Sequence, residues 1–161
     1  MTIEELNGLP REAFVRELGW IFEHSPWVAE RAWARRPFAS IDALHAAMAA
    51  EVEQASRDEQ LALLRAHPDL GTRMRMSAAS ASEQSSAGLD RLTAAEFERL
   101  RDLNTGYATR FGFPFILAVK GASNADIFAS LERRLANEPE REFREALHQV
   151  HRIAAFRLGA P

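Results

Sequence analysis

Residues suited to a β-strand run together at only one place in this chain, Phe115 to Val119, inside the stretch "FGFPFILAVKG" at 111–121. A lone strand cannot make a sheet. Elsewhere apolar residues recur every three or four positions, the period of a helix with one buried face. The chain must then bury its apolar surface helix against helix, so the expected fold class is all-α. Its 161 residues suit a single domain, 1–161, whose core removes about two-thirds of the unfolded surface from water.

Caps and prolines mark the expected helix boundaries. Thr2 and Glu5 have the spacing of a capping box. Pro10 suits the first turn of a helix running to about Phe22, with Phe14, Leu18 and Ile21 as its apolar stripe. Pro26 opens another that stops near Pro37, and Ser40 caps a long helix carrying Ile41, Leu44, Met48 and Val52. Leu61, Leu63 and Leu64 mark the next helix. It ends at His67, because Pro68 disfavours helix in the residue before it. Periodicity fades over 72–88, a stretch rich in Ser and Ala. Thr93 and Glu96 make a further capping box, followed by Phe97, Leu100, Leu103 and Tyr107. Helices at about 124–136 and 139–157 close the chain. The pattern describes a helical bundle with an irregular central loop and a proline-kinked apolar segment.

Composition removes several function classes. The chain has no cysteine, hence no disulfide, thiol nucleophile or cysteine metal site, which fits a reducing, cytoplasmic setting. The net charge of −3 comes from interleaved acids and bases, so neither nucleic acid nor an anionic membrane is an expected partner. The acidic N-terminus "MTIEELNGLPREAF" does not read as a signal peptide, and the longest apolar run is too short to span a bilayer. No phosphate-binding glycine loop, GxSxG or dinucleotide fingerprint occurs.

The residues that could carry chemistry are few. His67, in "HPDLG", reads either as a helix-end residue facing the last carbonyls or as a general acid or base next to an irregular loop. Glu83 and Gln84, in "SASEQSSAG", read either as a solvated helix start or as a carboxylate and an amide turned to a ligand. His148 and His151 are three apart, but no acidic pattern completes a metal site, so no metal is expected. His24 and His45 read as hydrogen-bonding residues, and the arginines of "AERAWARRP" and "ERRLANEPEREFR", interleaved with glutamates, read as a solvated face. The residues alone lead to a helical domain whose two breaks, 67–88 and 111–121, could meet as a pocket. A non-catalytic helical binding module, a metal-dependent hydrolase and a helix-turn-helix DNA binder stay open at this point.

Five segments, in order, resemble one family. They are "FEHSPWVAERAW" (22–33), "LLRAHPDLG" (63–71), "SASEQSSAGLD" (80–90), "LNTGYATRFGFPFILAVKG" (103–121) and "VHRIAAFRL" (150–158). Together they are similar to the OHCU decarboxylases, which act on 2-oxo-4-hydroxy-4-carboxy-5-ureidoimidazoline in urate breakdown and yield (S)-allantoin. Phe156, where an aliphatic residue is expected, is a small departure. The resemblance implies a cofactor-free lyase of all-helical fold, commonly a homodimer, with His67 as proton donor and Glu83 as its catalytic companion. It implies substrate contacts at Pro68, at Ser80, Ala81, Ser82, Glu83 and Gln84, and at Phe115, Ile116, Leu117, Ala118 and Val119. Arg157 is a further expected partner for the substrate carboxylate. On this reading "FGFPFILAVKG" is a pocket wall, held out of helix by Pro114 so that its main-chain groups are free for a ligand. The alternative kept beside it is a non-catalytic helical module related to the family.

Overall fold

The computed structural model describes residues 1–70 and 92–159, and among them every regular element is a helix. The expected all-α class is what the chain adopts. Two compact units form, one from Met1–Ala66 with Val150–Pro161 and the other from His67–Gln149.

In the first unit lie α1 (Ile3–Asn7), α2 (Arg11–Leu18), α3 (Trp27–Trp33), α4 (Ile41–Gln54) and α5 (Arg57–Ala66). The Thr2 capping box and the Ser40 cap are both present. Phe14, Phe22, Val28, Leu44, Met48, Val52, Leu63 and Leu64 are all buried and make its core. The second helix is shorter than its apolar stripe suggests. It ends at Leu18 with Gly19 as its C-cap: the Gly19 N–H makes the last helical bond, to the Val15 carbonyl at 2.7 Å, and a Cβ on Gly19 would sit 2.6 Å from that same oxygen. Ile21 and Phe22 are still buried, but from irregular chain. Likewise α3 ends at Trp33, before Pro37.

The second unit holds α6 (Ala94–Phe111), α7 (Asn124–Leu135) and the start of α8 (Pro139–Arg157), whose last turns belong to the first unit. Capping boxes open α6 at Thr93 and α7 at Ser123. Gly112 ends α6 in the left-handed region, φ 82°, where a side chain would be strained. That turn throws the chain into the non-helical stretch 112–123. No described helix is long and apolar enough to cross a membrane.

Candidate active site

His67 is the residue immediately after α5. The residue is 7% exposed. Such burial is unusual for an imidazole that merely decorates a helix end. Pro68 beside it is half-buried, and Leu70 is buried. Ser80, Ala81, Ser82, Glu83 and Gln84 lie outside the described residues.

The 111–121 stretch is built on an aromatic cluster centred on Tyr107. Its ring lies 4.7 Å from Phe111, 5.8 Å from Phe113 and 5.3 Å from Phe115. Phe113 in turn meets Phe143 of α8 edge-on at 6.2 Å. Phe115, Ile116, Ala118 and Val119 are buried, while Pro114 and Leu117 are half-buried. Gly112 and Pro114 thus do what helix-breaking residues do, and the apolar side chains around them supply the burial that holds an irregular chain in place.

Beneath this stretch lies a charged network with no exposure. Arg134, in the last turn of α7, and Glu142, in the first turn of α8, are each 0% exposed. The helix ends favour those signs, a cation at a C-terminus and an anion at an N-terminus. Arg134 donates to Glu142 Oε2 from Nε at 2.8 Å and from Nη2 at 2.6 Å. Asn137 Nδ2 donates to the other carboxylate oxygen at 3.0 Å, and the Tyr107 hydroxyl donates to Oε2. Burial pushes the Tyr107 phenol well above its usual range, and the Glu142 carboxylate adds to this against the opposing charge of Arg134. The remaining arm of the fork, Nη1, donates to the Ile116 carbonyl at 2.7 Å, and the guanidinium carbon sits 4.4 Å from the Phe115 ring centroid.

A second side chain reaches the same stretch. Gln149 of α8 is 4% exposed. Its Oε1 accepts the Ala118 N–H at 3.1 Å, while its Nε2 donates to Glu145 at 3.2 Å. The Val119 carbonyl accepts the Ala122 N–H at 2.9 Å. The expectation of a wholly free main chain over 115–119 therefore needs correction: Ile116, Ala118 and Val119 each have a group already engaged by the protein. Leu117 is different, since neither its N–H nor its C=O meets a partner among the described residues.

The solvated-face reading of "ERRLANEPEREFR" also fails for two of its members, Arg134 and Glu142. The available signal was register. Arg134 continues the buried stripe of Ile127 and Leu131, and Glu142 precedes Ala146, Gln149 and Val150 on another. Charges in step with an apolar stripe are buried with it.

The second group of candidates lies in the first unit. The Arg157 guanidinium meets Glu23 at 2.8 Å and donates to the carbonyls of Trp20 and Ile21 at 3.2 and 3.3 Å. His45 and His151 are interhelical hydrogen-bonders. A ring nitrogen of His45 meets the His151 carbonyl at 2.8 Å, and His151 meets Glu53 at 2.9 Å. Among the described residues no group of three or more His, Asp or Glu could hold a metal ion.

The described residues define an all-α protein in which a buried histidine follows one helix and a non-helical stretch is clamped from two others. The match to known proteins is more specific. The family profile described as OHCU decarboxylase covers residues 7–159, and the chain belongs to that family. It is 51% identical to the 2-oxo-4-hydroxy-4-carboxy-5-ureidoimidazoline decarboxylase of Haloferax volcanii, over 99% of this chain and 95% of that one. It is 48% identical to a uric acid degradation bifunctional protein of Bacillus subtilis, over 98% of this chain and 32% of the longer protein. Among solved structures, (S)-allantoin synthase superposes with a TM-score of 0.79 at 40% identity, covering 98% of this chain and 53% of that one. An OHCU decarboxylase structure determined in the presence of (S)-allantoin gives a TM-score of 0.68 at 26% identity, covering 83% and 88%.

Proposed function

We propose that this chain is a carboxy-lyase that decarboxylates 2-oxo-4-hydroxy-4-carboxy-5-ureidoimidazoline to (S)-allantoin in urate degradation. The observation that carries the reading is the family match, which runs almost end to end and includes both breaks in the helical pattern.

The chemistry asks little of the protein beyond orientation and proton traffic. The ring carbon that loses CO2 bears a hydroxyl and adjoins a C=N bond. When the carbon–carboxylate bond breaks, its electron pair forms a ring C=C bond, the C=N pair moves onto the nitrogen, which takes up a proton, and an enol is left. The substrate thus carries its own electron sink, the service for which other decarboxylases bind an organic cofactor. The adjacent ring carbon then takes a proton on one face, and the enol hydroxyl gives one up to become the carbonyl of allantoin. In this proposal His67 handles that proton, its ring fixed by burial at the end of α5, with Glu83 favouring the imidazolium. Pro68 and the 115–119 wall shape the pocket, Ser80 to Gln84 read the polar ring, and the unpartnered main-chain groups of Leu117 match its donors and acceptors. Arg157 enters only as a cation for which a substrate carboxylate would compete with Glu23. The reading carries with it one domain over 1–161, a homodimer and a cytoplasmic setting.

Freshly made substrate tests this directly. The wild-type chain should release optically active (S)-allantoin faster than the spontaneous reaction gives racemate. His67→Asn should lose on the order of a hundredfold or more in turnover, as for a general acid or base. A wild-type chain that leaves the spontaneous rate and the racemic product unchanged would reduce it to a binding module of the same fold.

A further inference from the structure

The network under the 115–119 stretch does more than fill space. A buried ion pair is weak evidence for stability, because desolvating two charges offsets most of their attraction. Arg134 and Glu142 are nonetheless both fully buried. What the pair achieves geometrically is plain. Glu142 fixes Arg134 through Nε and Nη2, and the arm left over ends on the Ile116 carbonyl at 2.7 Å. Two residues on, Gln149 holds the Ala118 N–H at 3.1 Å. One clamp comes from α7 and the other from α8, and between them sits Leu117 with its own amide groups unpartnered among the described residues.

We propose that Arg134 and Gln149 are positioning residues for the substrate wall, fixing the main chain on either side of Leu117 so that the Leu117 N–H and C=O are presented to the ring. The proposal rests on the reading of 115–119 as that wall. Both residues act through the main chain and touch no reacting atom. Planar, bidentate arginine suits such a task because its fork fixes direction as well as distance, which lysine does not. An irregular stretch lacks the ladder of hydrogen bonds that places main-chain groups in a helix or sheet, so side chains must supply that placement. On this proposal the wall binds the ring equally before and during reaction, so its displacement shows as a raised KM at little-changed kcat.

The test uses the intact enzyme. Gln149→Met removes the acceptor at similar volume. The swap Glu145→Gln with Gln149→Glu restores both hydrogen bonds, with the donor and the acceptor exchanged between the two side chains. Arg134→Lys keeps the charge beside Glu142 and loses the fork. It is the harsher variant, and if it does not fold, the glutamine series decides alone. Readouts are KM and kcat for the ureidoimidazoline substrate, hydrogen exchange at the Ala118 amide, and melting temperature. Gln149→Met should raise KM about tenfold with kcat changed by less than about threefold, and should speed exchange at Ala118. The swap should return both values toward wild type. Faster exchange with KM within about twofold of wild type overturns the proposal, as does unchanged exchange, or a KM that the swap fails to restore while stability recovers. Phe115→Ala and the wild type separate this from the function itself. A wild type inert to the substrate removes the function and the clamp together, and an unaffected Phe115→Ala removes the wall. An impaired Phe115→Ala beside a normal Gln149→Met removes the clamp alone.

Discussion

Asn104 lies on the buried stripe of α6 with Leu100 and Tyr107, and is itself 6% exposed. Neither end of its amide meets a hydrogen-bond partner among the described residues. Leaving a buried amide unpaired costs about 1–3 kcal/mol, whereas replacing it with an apolar group of similar shape removes the debt. Asn104→Leu should therefore stabilise the free protein by about 1–2 kcal/mol, a rise of roughly 2–8 °C in melting temperature for a chain of this size. Thermal unfolding of the two proteins checks it. A lower melting temperature for Asn104→Leu would mean that the amide is hydrogen-bonded in solution. The contrast with Tyr107, one turn on, is instructive: its hydroxyl is equally buried but fully used by Glu142 and Arg134.

At the level of elements, the first unit offers a clean electrostatic test. Arg31 of α3 reaches Glu59 of α5 at 2.5 Å, and both side chains are partly exposed. The hydrogen bonds from Arg31 and then from the Ser56 main chain hold the Glu59 carboxyl down at about 2, against an ordinary 4.5. A carboxyl depressed on folding stabilises the fold above its unfolded pKa, and that contribution is lost as pH falls through the folded one. The window is thus from about pH 4.5 down to about 2. In that window Glu59→Gln should lose stability with falling pH less steeply than the wild type. Because the pair is exposed, the difference should shrink in about 1 M salt. Urea titrations across that pH range measure it, and parallel curves for the two proteins would refute the linkage. Exposed caps, unlike that pair, are what sequence shows best. Thr2, Ser40 and Thr93 all cap where their spacing put them, because a cap is a contact over three residues. The end of α2 was hidden because the stripe Phe14, Leu18, Ile21 carries on past it, and Ile21 is buried from irregular chain as fully as it would be from a helix. The Arg134–Glu142 pair was hidden for a different reason. Register with the apolar stripes marks both charges for burial, but their third partner, the Ile116 carbonyl, lies 18 residues from Arg134, beyond the reach of any local spacing. The His67 and 115–119 candidates stood out as breaks in helical period, but the roles given to them came from family resemblance, since spacing does not say which breaks meet.

On the scale of the whole molecule, the chain divides into two compact units, yet α8 runs unbroken from Pro139 to Arg157 across the division at Gln149 and Val150. Its two parts are 139–149 and 150–157. Helices shorter than about 12–15 residues are marginal in water, because nucleation must be offset by many propagating bonds or by tertiary packing. Neither part is long enough to stay helical alone. Melting the first unit would strip the packing from Val150, Ile153 and Ala154, and the fraying would run toward Phe143, Ala146 and Leu147, the residues α8 buries in the second. Loss of either unit should therefore destabilise the other, and the chain should behave as one cooperative domain. The expected result is a single unfolding transition, coincident by far-UV circular dichroism and by tryptophan fluorescence. Trp20, Trp27 and Trp33 all lie in the first unit, so fluorescence follows that unit while circular dichroism follows every helix. Val150→Pro supplies the complementary arm: it breaks α8 at the division, and if the helix is what couples the units, the two probes should then separate. Two transitions in the wild type, or a Val150→Pro chain that folds and still unfolds in one step, would show that α8 does not carry the coupling.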